Sequence, residues 1–201
     1  MSSTEPLPVL HVDDHLAVVA KPAGLMAHDS HLARGETDFV ADRLRAQFER
    51  QIFLVHRLDR ATSGCLLVAF DRDTASALGR TLMRDTASGD AGESDAGAAR
   101  AGDGFEKVYW AVCRGWPAEP AFTVDHPLDG GPGKPLKRDA VTRFRTLATC
   151  ELGLPSHNAA GAFATSRYAW LEARPQTGRF RQIRRHLKHL SHHLIGDSSH
   201  G

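Results

Sequence analysis

No apolar run in this chain approaches the roughly 18–20 residues that cross a bilayer. The opening Met1-Ser2-Ser3-Thr4-Glu5-Pro6 lacks the basic and apolar regions of a signal peptide. Cysteine is scarce and odd in number: Cys65, Cys113 and Cys150 are widely spaced, which excludes a disulfide scaffold and points to a reducing compartment. Excess charge of either sign is also missing, the formal net charge being +1. With 41% hydrophobic and 24% charged residues over 201 positions, the remaining class is an ordinary globular chain able to bury one good core. The expectation is a cytoplasmic monomer, one domain over 1–201, with no membrane attachment.

The charge that is present is unevenly distributed. Residues 1–50 carry five Lys/Arg against eight Asp/Glu, a net −3, whereas residues 167–201 carry seven against two, a net +5. A polar chain with one basic end fits a phosphate-backbone footprint, although a solvated basic face has the same pattern. Residues 85–104 contain no Val, Ile, Leu or aromatic residue. Such a segment buries too little to offset its ordering entropy, so a flexible acidic insertion within the domain is expected there.

Along the chain, Val9–Val12 and Leu16–Ala20 read as a hairpin around Asp13-Asp14, running into the loop Lys21-Pro22-Ala23-Gly24. Thr37 is a candidate cap for a helix over 38–50, with Val40, Leu44 and Phe48 on its buried stripe. Asp73 is the candidate cap of a second helix over 73–84, with Leu78 and Leu82 inward. Strand signals resume at 105–113, and a Gly/Pro-rich turn follows from Pro127 to Pro135 with basic Lys134, Lys137 and Arg138 at its end. Ala140–Leu147 and Thr165–Ala173 read as antiparallel partners joined irregularly. The architecture predicted is α+β, a largely antiparallel mixed β-sheet with flanking helices.

The last predicted helix, 180–190, has Thr177 as its candidate cap. At about 100° per residue, Ile183, Leu187 and Leu190 form the buried stripe. Arg181, Arg185 and Lys188 cluster opposite, and Arg184 lies at the boundary, where its stem can lie on the core and its guanidinium can reach a neighbouring carboxylate.

Nine residues, His56-Arg57-Leu58-Asp59-Arg60-Ala61-Thr62-Ser63-Gly64, lie between the apolar runs Ile52–Val55 and Cys65–Phe70. They read as a loop held between two core strands, a rigid place to present chemistry. Asp59 stands between Arg57 and Arg60, and opposite charge nearby keeps a carboxylate ionised, which suits a nucleophile or base. A loop-stabilising ion pair has the same residues.

This stretch resembles motif II of the RluA-type pseudouridine synthases, whose signature runs HRLD-x-x-TSG. Lys21-Pro22-Ala23-Gly24-Leu25-Met26-Ala27-His28 is similar to motif I, Gly178–Leu187 to motif III, and Lys107-Val108-Tyr109-Trp110-Ala111 to the K-x-Y-x-A strand. The run His186–Asp197, with Arg114-Gly115-Trp116 and Ala140-Val141-Thr142, is especially similar to the tRNA pseudouridine synthase C branch.

The resemblance implies isomerisation of a uridine to pseudouridine, most specifically uridine 65 of tRNA, with no metal or other cofactor. It implies Asp59 as the catalytic aspartate, Tyr109 as the aromatic stacked beneath the base, and Arg184 as the arginine paired with the catalytic carboxylate. Arg57 resembles the arginine that fills the place of the extruded nucleotide. Lys21, His56, Arg181, Arg185 and Lys188 are expected to contact RNA, and His28 and His56 are structural or RNA-contacting. His186, His189, His192 and His193 have spacings that can share a helix face, but no paired carboxylate accompanies them and no metal is expected.

Two departures from the family pattern bear on function. Many relatives have His where Arg181 stands, and the family continues past Gly201 with an L-H-A-type segment. The catalytic domain is therefore expected to be C-terminally incomplete. The rival expectations are an RluA-like synthase acting on rRNA or the tRNA anticodon stem-loop, and a catalytically silent tRNA-binding or tRNA-folding protein.

Overall fold

Period-two burial organises the first of two compact units, Met1–Leu82 and Met83–Gly201, in the computed structural model, which describes residues 5–29, 35, 37–84, 105–158 and 161–197. The first unit carries strands β1 (Val9–Val12), β2 (Leu16–Lys21), β3 (Phe53–Leu54) and β4 (Gly64–Ala69), ordered β1-β2-β4-β3 with every pairing antiparallel. Along β2, Ala17, Val19 and Lys21 point inward, while Leu66 through Ala69 of β4 are all buried. Helix α1 (Val40–Phe48) buries Val40, Ala41 and Leu44, and Phe48 meets Phe70 edge to face at 5.3 Å.

Both expected caps in this unit are corrected. Thr37 does not cap α1. The helix begins after Phe39 with no side-chain cap, because the carbonyls of Met26 and Ala27 accept from the amides of Val40 and Ala41 at 2.9 and 3.0 Å. For α2 (Arg72–Arg84), Asp71 replaces Asp73: its Oδ1 accepts from the Thr74 amide and its Oδ2 from the Thr74 hydroxyl, both at 2.7 Å. The 85–104 insertion lies outside the described residues.

In the second unit, β5 (Tyr109–Arg114), β6 (Ala121–Asp125), β9 (Val141–Leu152) and β12 (Ser166–Pro175) form a sheet ordered β5-β12-β9-β6, again antiparallel throughout. Two short ribbons accompany it: β7 (Leu128–Asp129) with β8 (Lys137–Arg138), and β10 (Ser156–Asn158) with β11 (Gly161–Phe163). The latter is the connection expected to be irregular. One sheet face supplies the core, with Cys113, Val124, Phe144, Ala169, Leu171 and Ala173 closing on Leu187 of α3 (Gln182–His189). The other face leaves Trp110 and Trp170 exposed, edge to face at 5.4 Å. Residues 105–108, expected in the strand, precede β5.

A polar network seats α3. Gln182 is buried, its Oε1 accepting from the Thr177 hydroxyl at 2.7 Å and the Arg179 amide at 2.9 Å. Its amide donates to the Val141 carbonyl and the Thr142 hydroxyl, both at 2.9 Å. His186 is fully buried between the Thr142 hydroxyl at 2.9 Å and the His126 carbonyl at 3.1 Å. A carbonyl only accepts, so Nε2 carries the proton and Nδ1 accepts from Thr142. Burial correspondingly holds the His186 pKa below its ordinary value. Thr177 thus anchors Gln182, instead of capping the helix, whose N-cap is Arg181 in the left-handed region at φ 51°.

The expected stripe is right at Leu187 and half-right at Ile183, but Leu190 stands past the last helical turn and is 39% exposed. All three tryptophans lie in this unit, so their fluorescence reports its unfolding. In urea melts followed this way, Leu187→Ala is expected to cost about 2–5 kcal/mol, from lost burial and the cavity left behind. Leu190→Ala is expected to stay within about 0.5 kcal/mol of the parent.

Candidate active site

The Asp59 loop closes the β3–β4 hairpin, whose register pairs Phe53 with Ala69 and Leu54 with Val68. Two apolar strands force the intervening residues outward, and Leu58 returns to the core as an anchor. The Thr62 amide donates to the Asp59 carbonyl at 3.0 Å, tightening residues 59–62 into a turn. Gly24, at φ 88°, stitches that turn to the preceding loop: its amide donates to the Arg60 carbonyl at 2.8 Å, and Arg60 Nε donates to the Gly24 carbonyl at 3.0 Å.

Lys21 completes the arrangement from behind. Its ammonium donates to the carbonyls of Pro22 and Thr62 at 2.8 Å and of Arg60 at 3.3 Å, and the residue is only 1% exposed. This corrects its expected place among the RNA-contacting cations, because a buried ammonium engaged with three carbonyls is not presented to a ligand. It holds the loop. Burial pushes its pKa down to about 8, with the Asp59 charge opposing the shift. His56 is structural as well: its Nε2 accepts from the Leu67 amide at 3.0 Å, which places the ring proton on Nδ1. Arg57 is exposed and Asp59 half-buried.

Tyr109 and Arg184 belong to the second unit. Tyr109 opens β5 opposite Ala173 and packs, partly buried, against the core. Arg184 behaves as a boundary arginine should. Its Nε and Nη2 donate to the two Asp197 oxygens at 2.7 and 2.6 Å, in a bidentate pair shielded from water. Asp197 was legible only as part of the family-like run His186–Asp197, since a partner 13 residues away leaves no periodic signal.

The expected basic ridge on α3 is only partly one. Arg185 donates to the Asp129 carbonyl and carboxylate at 2.9 Å, so it braces the β7 strand and does not face outward. Lys188 is exposed, and the Arg181 guanidinium lies 4.8 Å from the centroid of the Phe180 ring. The histidines have structural partners: His186 as above, His192 donating from Nδ1 to the Arg114 carbonyl at 2.9 Å, and His189 stacked on His126 at 3.8 Å. Among the described residues no group of three or more His, Cys, Asp or Glu side chains is placed to hold a metal ion. No helix among them is long and apolar enough to cross a membrane.

Comparison with known proteins fits these motifs to one family. A family model described as RNA pseudouridylate synthase matches residues 15–189. The chain is 39% identical to tRNA pseudouridine synthase C of Vibrio cholerae, over 97% of this chain and 74% of that protein. It is 38% identical to the protein of the same name from Salmonella typhimurium, over 97% and 70%. Among solved structures, human RNA pseudouridylate synthase domain containing 1 superposes with a TM-score of 0.69 at 22% identity, covering all of this chain and 72% of that one, a likeness of fold. The chain belongs to the RNA pseudouridylate synthase family, and is an isomerase that converts uridine in RNA to pseudouridine.

Proposed function

We propose that this synthase acts on tRNA, at uridine 65 of the T arm, with Asp59 as its reacting carboxylate. The observation that carries the choice of RNA is identity of 34–39% with proteins named tRNA pseudouridine synthase C, sustained over at least 97% of the chain. The choice of Asp59 is supported by its loop, in which Lys21, Gly24 and Thr62 hold the backbone from Asp59 to Thr62. A backbone fixed in this way limits the reorganisation its side chain has to undergo during the reaction.

The reaction breaks the bond from uracil N1 to the sugar, turns the base in place and joins its C5 to the same sugar carbon. The C5 hydrogen leaves and N1 ends protonated. Asp59 assists cleavage at the sugar–base bond. Tyr109 offers the detached base an aromatic face that tolerates rotation. Arg184, oriented by Asp197, supplies positive charge for the reacting carboxylate. A uridine within a paired stem has to leave its stack first, and exposed Arg57 is the planar cation that fills the gap. The protein works as a monomer in the cytoplasm, the compartment of its RNA.

Asp59→Ala is expected to abolish pseudouridine formation on tRNA transcripts while leaving tRNA affinity nearly unchanged. Mapping pseudouridine in total tRNA and rRNA from cells with and without the gene tests the target. Loss at tRNA position 65 is the expected result, and loss at an rRNA site instead would reassign the substrate.

The clamp on the loop has its own signature. Lys21 titrates near 8 in the folded chain and near 10.5 when unfolded, so between these values the unfolded chain binds more protons. Stability contributed at this position therefore rises with pH across that window: the penalty on the charged form is fully present below pH 8 and gone above 10.5. Urea melts from pH 8 upward are expected to lose this rise in Lys21→Met, which also leaves three carbonyls without their donor at a cost of about 1–3 kcal/mol.

A further inference from the structure

Beside the N-terminus of α3, the β7–β8 ribbon bounds an open cleft of about 650 Å³, lined by Asp129, Gly131, Lys134, Phe180, Arg181 and Arg185, with Gly/Pro turn residues between. Its size falls within the roughly 300–1,000 Å³ of ligand clefts. Three cations and one carboxylate line it, and their roles differ. Asp129 is committed: its Oδ1 accepts from the Gly131 amide at 2.9 Å, and Oδ2 together with its carbonyl takes both outer nitrogens of Arg185. That brace neutralises the acidic group and one cation against each other. Lys134 and Arg181 remain, and neither forms an ion pair among the described residues.

The walls fix the backbone that carries Lys134 and the guanidinium of Arg181. Gly131, at φ 91°, sits so close to Phe180 that a Cβ there would fall 2.7 Å from the ring. The turn folds back on itself, Lys134 N donating to the Gly131 carbonyl at 3.0 Å and Gly130 N to the Lys134 carbonyl at 2.9 Å. On the other side, Arg181 adopts the left-handed conformation uncommon for its type, which lays its guanidinium along the same Phe180 ring. A ring shared by the ribbon and by Arg181 sets the position of one cation-bearing wall against the other.

We propose that this cleft is a subsite for a backbone phosphate of the bound RNA, gripped between Lys134 and Arg181. Phe180 orients Arg181, and the Arg185–Asp129 pair braces the ribbon that carries Lys134. The inference rests on the RNA-modifying activity and on tRNA as the bound RNA, and it adds Lys134 and Phe180 to the binding surface.

The test measures affinity for an unmodified tRNA transcript against potassium chloride concentration, for wild type, Lys134→Gln, Arg181→Asn and the double variant. Asn suits the left-handed backbone at 181, so that variant removes the charge without adding strain. The double variant is expected to lower the slope of log affinity on log salt by about 0.7–0.9, the share of one phosphate, and each single variant by part of that. In turnover assays KM for tRNA is expected to rise with kcat unchanged, as for an interaction equal in ground and transition states. Lys134→Arg is expected to restore the wild-type slope, and Arg80→Gln, on α2, to leave it unaltered. A double variant with the wild-type slope and KM overturns the subsite, and so does a loss of slope equal to that of Arg80→Gln. Should wild type bind tRNA without forming pseudouridine, the proposed activity is at fault and the cleft is still judged, because the slope is read from binding alone. Absent tRNA affinity sinks both.

Discussion

The ammonium of Lys21 is the interaction on which the Asp59 loop depends. It is buried at the end of an otherwise apolar strand, a position that costs desolvation, and its hydrogen bonds to Pro22, Arg60 and Thr62 are what make that position tenable. Those bonds tie motif I to motif II. The loop could not hold its shape by apolar contact alone, since Leu58 is its sole residue buried from solvent between His56 and Ser63. An inward-facing charge thus does for the turn what side-chain packing does for the strands on either side.

In the second unit, α3 repeats the theme with different chemistry. The helix is bound to the sheet through Gln182, Thr142 and His186, a fully satisfied buried network that fixes one rotation of the helix about its axis. With that rotation set, its arginines separate by task. Arg184 takes Asp197 and Arg185 takes Asp129, leaving Arg181 and Lys188 as the cations turned to other uses. A count of basic residues on this helix overstates what a polyanion meets, because two of the charges are answered within the fold.

Local pattern made much of this legible. The β1–β2 hairpin, the stripe of α1 and the loop between β3 and β4 follow from spacing and turn chemistry, and the motifs point to the family that the chain matches. Features that depend on long-range pairing were hidden. Met26 and Ala27 cap α1 through backbone carbonyls, which carry no residue signature, so Thr37 was the only visible candidate. Lys21 reads as a surface cation because two of the three carbonyls that hold it lie some forty residues away. Arg185 finds Asp129 across 56 residues, a separation that no helical wheel represents. The division of the chain at Leu82 also has no compositional mark, since it falls inside a helix.

The exposed indoles of Trp110 and Trp170 sit on adjacent strands, offset by two residues and so on one face, since Trp170 is opposite Val112 and Trp110 opposite Glu172. Strand side chains alternate between faces, so sliding β5 by a single residue would drive Trp110 into the apolar layer and turn Tyr109, Ala111 and Cys113 out of it. The pair is thereby a register lock for the strand that begins at Tyr109. Two aromatic rings outside the proposed chemistry thus work with the core packing of Ala111 and Cys113 to keep that tyrosine on the inner face of the sheet.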